Sequence, residues 1–303
     1  MNLENLSKKE LIAMLRHYMF DDKEFGGLKR GGAYNQALPE IASHNGSVSI
    51  CEVDTNFLKD MNDKFGHAAG NAYLRTQADA VVDTMAISMG LLNLAKDGSL
   101  AVPPSTDRTS GTTDAEYIQS AKQRVIEERD IYRIGGDEFR ILLRHNARPE
   151  RMSELDYQKN ILDVGHRFMQ QALQRFKHLW QQEREHIQDD HGNPCEVSGS
   201  FGYGVASTAE VRLKGKSIPE VQKFADNRAF YHKSWQKLAG HVALPAGRSM
   251  DIYLDDPRLK GVAEIETIEE LLAFIDKKEA KYSGVDRRKP TNSGPLPIVQ
   301  EDK

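Results

Sequence analysis

The sequence predicts an α+β fold, a mostly antiparallel sheet covered by helices, and three observations predict it. Ser47-Val48-Ser49-Ile50-Cys51-Glu52-Val53 is an apolar, β-branched run of the kind that forms a buried strand, and an amphipathic, helix-like segment follows it. Asp130-Ile131-Tyr132-Arg133-Ile134 and Ile141-Leu142-Leu143 flank Gly135-Gly136 and read as the two arms of a hairpin. Helical periods fill residues 68–95 and 151–187. The paired glycines are expected to supply the positive φ of a tight turn, and their missing side chains let a polyphosphate approach the backbone.

The other elements follow in chain order. Residues 1–20 predict an N-terminal helix, amphipathic over 3–19, with Ser7 and Glu10 at the spacing of a capping box. Residues 96–115, with Pro103-Pro104, several Ser and Thr and little apolar content, read as a loop. His191-Gly192-Asn193-Pro194 is a turn signal before the next strand. Residues 256–282 form a C-terminal helical extension, with a helix from Ile265 to Ala280 in which Thr267-Ile268-Glu269-Glu270 leads an apolar face of Leu271, Leu272 and Ile275. Residues 283–303, rich in Gly, Pro, Ser and charge, predict a disordered tail.

Composition narrows the function classes. A chain of 303 residues is long enough to bury a sizeable core. Its net charge of −4 argues against a nucleic-acid-binding surface over the whole molecule, so no nucleic-acid partner is expected. No stretch approaches the roughly 20 apolar residues of a membrane span, and the N-terminus lacks an apolar signal-peptide core. A soluble, cytoplasmic protein without a membrane partner is the expectation. Cys51 and Cys195 stand far apart in strand-like contexts and read as buried free thiols.

Asp54 at the end of the first strand and Asp137-Glu138 at the hairpin tip are hard oxygen donors of the kind Mg²⁺ prefers. Taken alone, the acids at the tip are equally compatible with a solvated hairpin. The wider pattern is more specific. Asp54, Lys59, Asn62-Asp63, Gly66-His67, Gly70 and Leu74 fall at the spacings of Asp-x-Asp-x-Phe-Lys-x-Ile-Asn-Asp followed by Gly-His-x-x-Gly-Asp-x-x-Leu, and Gly135-Gly136-Asp137-Glu138-Phe139 follows in order. Val197-Ser198-Gly199-Ser200-Phe201-Gly202 resembles a Val-x-x-Ser-x-Gly strand, and Ala225-Asp226-Asn227-Arg228-Ala229-Phe230-Tyr231-His232-Lys233 an Ala-Asp-x-Ala-Leu-Tyr-x-Ala-Lys helix. Phe25 to Tyr34 is similar in register to the family's opening segment, with the Gly-Leu pair at 27 and 28 matching strictly. Over roughly residues 20 to 240 the chain thus resembles the GGDEF family of diguanylate cyclases.

The resemblance implies a ferredoxin-like palm, with a catalytic domain over 21–255 interrupted by an inserted loop at about 96–125, since 64 positions separate Asn71 from Gly135. It implies condensation of two GTP into cyclic di-GMP on a homodimer, with two Mg²⁺ (or Mn²⁺) per active site. Asp54 and Asp137 would be catalytic and, with the Thr55 carbonyl, would hold the metal, while Glu138 would contact metal or assist deprotonation of the 3′-hydroxyl. Backbone N–H groups from Asn56 through Phe57 and Leu58 to Lys59, the Gly135-Gly136 turn, and Lys233 and Lys237 one helical turn apart would receive the phosphates. Without the family pattern, those two lysines read as solvated. Asn62 and Asn71 would contact the guanine edge. Asn71 stands where the family has Asp, which weakens the match to the guanine donors and leaves open a mixed cyclic GMP-AMP product. Leu58 replaces a Phe at tolerable volume, and His67 reads as a turn residue. The family's product-inhibition motif, Arg-x-x-Asp ending five residues before the hairpin glycines, is not matched, because Arg124-Val125-Ile126-Glu127 is out of register. A silent GTP-binding or partner-binding module is the alternative of another class. No regulatory partner is recognisable.

Overall fold

Residues 48 to 53 are buried from both sides, with Val48, Ile50, Cys51 and Val53 at most 1% exposed, so the strand they form lies inside a sheet covered on both faces. The computed structural model describes residues 21–22, 25, 28–104, 106, 112–245 and 249–282. The helix expected within residues 1–20 and the tail 283–303 lie outside these, as do Gly26 and Gly27 of the opening segment.

Strands β1 (Asp21–Asp22) and β2 (Leu28–Arg30) precede helix α1 (Gly31–Ser43). Next come β3 (Val48–Thr55), α2 (Leu58–Ser88), β4 (Asn93–Leu94), β5 (Leu100–Ala101) and α3 (Asp114–Glu128). The hairpin strands β6 (Asp130–Arg133) and β7 (Glu138–Arg144) are followed by α4 (Glu154–Glu183) and β8 (Phe201–Ser207). Helices α5 (Ala209–Lys214), α6 (Ile218–Leu238), α7 (Asp251–Leu254) and α8 (Ile268–Tyr282) complete the described chain.

The main sheet has the order β1-β2-β6-β7-β3-β8, and every neighbouring pair is antiparallel except β2 with β6. Its central four strands form a split β-α-β arrangement: β3 and β6 are joined through α2 with β7 between them, and β7 and β8 through α4 with β3 between them. This is the ferredoxin-like palm. Alternation along β3 divides the core. Cys51 and Val53 face α2 and α4, where Tyr73, Phe168, Phe176 and Trp180 pack, whereas Val48 and Ile50 face Tyr34 and Ile41 of α1 and Val221 and Ala225 of α6.

Two glycines set the height of α6 over the sheet. A Cβ at Gly204 would come within 2.0 Å of the Ala225 carbonyl and 2.4 Å of the Ala229 nitrogen, and one at Gly202 within 2.4 Å of Lys233 Cβ. Backbone atoms cannot yield as a side-chain tip can, so Gly204→Ala is expected to lift α6 and to cost about 3 kcal/mol or more in urea unfolding. A loss below 1 kcal/mol would show that α6 tolerates the shift.

Several boundaries differ from the sequence reading. The helix expected over 68–95 begins earlier and ends at Ser88, and Gly66, at φ +82°, breaks it into two pieces. The segment 96–125 is not simply a loop, because β5 and most of α3 lie in it, with Thr113 and Glu116 closing a capping box on α3. Asp83 of α2, fully buried, accepts from Arg175 of α4 at 2.8 Å and pairs with Lys122 of α3 at 2.7 Å, while Arg175 also donates to the Gly98 carbonyl. The insertion is therefore tied to the helical layer. The strand expected from Val197 begins at Phe201, and the helix expected from Ile265 begins at Ile268. Leu271 and Ile275 are buried while Leu272 is half-buried. Tyr253 of α7 packs with the cluster formed by residues 259–275 and α6, so α7 sits with the C-terminal extension, on the other side of the expected boundary at 255. Cys51 and Cys195 are both free and buried.

Candidate functional site

The site forms where β3 ends. Asp54 lies opposite Glu138 on one side and Gly202 on the other. The Thr55 N–H donates to the Asp137 carbonyl at 3.2 Å, and the Thr55 hydroxyl lies 2.8 Å from that carbonyl and 2.8 Å from Gln77 Oε1. These contacts fasten the hairpin tip to the end of β3. Arg133 braces the tip from behind, donating to the Gly136 carbonyl at 2.9 Å and to Asp22 at 3.0 Å, with its guanidinium over the Phe25 ring.

The hairpin glycines act differently from expectation. Neither Gly135 nor Gly136 has positive φ, because the reversal is spread over residues 134–137, with the N–H groups of Ile134 and Gly135 both directed at the Glu138 carbonyl. Gly135 is nonetheless constrained, since a Cβ there would come within 2.9 Å of Glu138 Oε2, whereas Gly136 has nothing within 4 Å and leaves the tip open to a ligand.

Glu138 is exposed, and its carboxyl is held above the usual range by partial burial first and then by the Asp137, Asp54 and Asp226 carboxylates. Two residues inward on the same face of the sheet, Glu52 pairs with its cross-strand partner Arg140, which stacks on Tyr34. Burial, opposed by Arg140, pushes Glu52 up to about 7. Clustered carboxylates of this kind are relieved by a cation.

One cation is already present. Lys233 Nζ lies 2.5 Å from Asp54 Oδ1 and 3.0 Å from the Thr55 carbonyl, so two hard oxygens converge on a single positive charge. Lys233 thus faces the expected metal ligands. Among the described residues no group of three or more His, Cys, Asp or Glu side chains could hold a metal ion. The donor set of Asp54, Asp137 and the Thr55 carbonyl instead suits an ion that keeps much of its water and takes few protein ligands, as Mg²⁺ does.

The start of α2 departs from expectation at two points. The Asn56 N–H donates to the Ser200 carbonyl at 3.0 Å and its amide donates to Ser200 Oγ and Gln236 Oε1, so Asn56 belongs to the buried support and is not a phosphate donor. Phe57, the N-cap, adopts φ +61°, and the N–H groups that α2 itself leaves unsatisfied begin there and run through Leu58 and Lys59. Lys59 is exposed. Lys237, for which solvation was the alternative, is buried, with its ammonium 5.3 Å from the Phe57 ring centroid and 4.9 Å from that of Tyr253. Asn62 Oδ1 lies over Gly70 so closely that a Cβ there would be 1.9 Å away, which places Asn62 beside half-buried Asn71, with Leu58 at their edge.

The structure therefore brings Asp54, Thr55, Asp137, Glu138 and Lys233 together, sets Asn62 against Gly70 and Asn71, and joins Phe57 to Lys237. The sequence reading missed Gln77, Gln236, Arg133, Asp226 and Tyr253. Of these, Arg133 carried a signal in its position two residues before the glycines. A cleft of about 570 Å³ lies at the other end of β7, lined by residues including Arg144, His145 and Phe168, away from these acids.

No family model matches the chain, and no curated protein matches it. Among solved structures it is similar to the coiled coil and GGDEF domain of DgcB from Caulobacter crescentus in complex with c-di-GMP, at 17% identity and TM-score 0.43 over 74% of this chain and 86% of that one. It is similar to the diguanylate cyclase SiaD in complex with its activator SiaC from Pseudomonas aeruginosa, at 16% identity and TM-score 0.42 over 74% and 62%. A third is the GGDEF domain of TpbB, or YfiN, from Pseudomonas aeruginosa, at 21% identity and TM-score 0.36 over 70% and 88%. The likeness is to GGDEF domains. At these identities and scores it adds no argument to the strand order and the site residues described above. Among the described residues no helix is long and apolar enough to cross a membrane.

Proposed function

We propose that the chain is a GGDEF-type diguanylate cyclase, joining two GTP into cyclic di-GMP with release of two pyrophosphates. The observation that carries this reading is the convergence of Asp54 Oδ1 and the Thr55 carbonyl on one positive charge, with Asp137 and Glu138 fastened beside them on the hairpin tip. In each of two steps a ribose 3′-oxygen forms a bond to the α-phosphorus of the other nucleotide, the bond from that phosphorus to the pyrophosphate oxygen breaks, and the hydroxyl proton is released. Two Mg²⁺ or Mn²⁺ ions, when bound, would acidify the hydroxyl and neutralise the triphosphate.

The chain's own residues position and hold. Asp54, Asp137 and the Thr55 carbonyl supply the ligands. Glu138, its carboxyl raised by partial burial and then by its neighbouring carboxylates, would take the 3′-hydroxyl proton. The N–H groups at the start of α2 receive terminal phosphates, and Lys233 would exchange Asp54 for a phosphate oxygen. Asn62 and Asn71 offer amide groups to the guanine edge. One chain supplies one such set, so a two-fold homodimer would bring each 3′-hydroxyl to the other subunit's α-phosphate.

The test is incubation of the purified full chain with Mg²⁺ and equimolar GTP and ATP, with products identified by mass spectrometry. Cyclic di-GMP is expected, and its absence when Mg²⁺ is removed by chelation. A mixed dinucleotide would assign relaxed base recognition to Asn71, and GTP binding without product would favour the silent module.

A further inference from the structure

The C-terminal extension has no role in the chemistry above, yet it reaches the phosphate end of the site. We propose that Tyr253 is a positioning residue that holds the Lys237 ammonium at the start of α2, an inference that rests on the nucleotide reading just given. Lys237 is 4% exposed, and its ammonium lies 5.3 Å from the Phe57 ring centroid and 4.9 Å from that of Tyr253. Both distances fall within the reach of a cation–π contact, which is stronger when the pair is desolvated. Phe57 is the α2 N-cap and holds a left-handed backbone conformation that a bulky side chain rarely adopts. The ammonium thereby lies against the side chain of the residue at which the N–H groups proposed to receive terminal phosphates begin.

Tyr253 packs at the margin of the cluster that joins the extension to α6. The extension is anchored on α6, the helix that carries Lys237: Trp235 Nε1 donates to the Ile265 carbonyl at 2.8 Å, and Arg228 pairs with Glu279 at 2.8 Å. Leu259, Val262, Ile265, Leu271 and Ile275 bury against Tyr231 and Trp235. Loss of the Tyr253 ring leaves the lysine one aromatic neighbour instead of two and returns rotamer freedom to its four-carbon stem.

The experiment titrates the full chain with guanosine 5′-(α,β-methylene)triphosphate in Mg²⁺, and separately with GMP, which lacks the terminal phosphates. Tyr253→Ala is expected to weaken triphosphate binding about tenfold and leave GMP binding unchanged, while Tyr253→Phe, which keeps the ring, binds both as the parent does. Equal triphosphate affinity in Tyr253→Ala and the parent would overturn the inference, as would an equal loss for both ligands, which marks structural damage. A flat triphosphate titration of the parent chain would overturn the nucleotide reading itself, and the inference with it.

Discussion

Asp54→Ala is expected to abolish cyclic di-GMP formation, with turnover falling by about 10³-fold or more, while the chain stays folded. Its carboxylate meets Lys233 at the end of β3, and the Thr55 carbonyl beside it cannot hold a divalent ion alone. Asp54 is 35% exposed and Lys233 22%, so removing the carboxylate lets the ammonium turn to water, and the stability change should stay within about 1 kcal/mol. Asp137→Ala should behave alike, because its backbone carbonyl, which fastens the hairpin to Thr55, survives the substitution. Product yield by mass spectrometry and urea unfolding of the same preparations separate the two effects. Substantial turnover in either variant would remove these carboxylates from the catalytic set, and global unfolding would show that the charge cluster is structural.

Asp83→Ala should produce the largest loss of stability, about 3 to 5 kcal/mol, because it takes the fully buried carboxylate from Arg175 and Lys122 and leaves them the charge of Asp79. Asp83 is fully buried, and Arg175, 8% exposed, has it as its anionic partner, with Lys122 meeting the other oxygen. Burial makes loss of the Arg175 partner costly in a way that loss of an exposed pair such as Arg124 with Glu128 is not. Because Arg175 also holds the Gly98 carbonyl, cleavage by a protease between β4 and α3 should accelerate in Asp83→Ala and less so in Asp83→Asn, which keeps an acceptor. A change below 1 kcal/mol would mean that the helices bury these charges without depending on their pairing.

The central strand, the hairpin and the acids at their ends were legible in the sequence. Short apolar runs, a Gly-Gly reversal and fixed motif spacing are local signals, and each predicts its element from residues within about ten positions. The insertion was harder to read. Its Pro, Ser and Thr content pointed to a loop, and the capping box at Thr113 and Glu116 was the local sign of α3. What holds the insertion, Asp83 with Arg175, joins residues 92 positions apart, and no local pattern marks such a pair.

The sequence by itself determined the palm's strand and helix content and the identity of the residues at its acidic edge, because periodicity and turn chemistry act over a few residues. Tertiary structure alone decided how those residues are used. Asn56 became a buried support because β3 runs out beside Ser200. Lys233 reached Asp54 because Gly202 and Gly204 let α6 settle close to β8. Lys237 is buried with the rings of Phe57 and of Tyr253 in α7 near its ammonium. In each case the deciding partner lies far away in the chain, and desolvation by that partner is what sets the side chain's charge, reach and role.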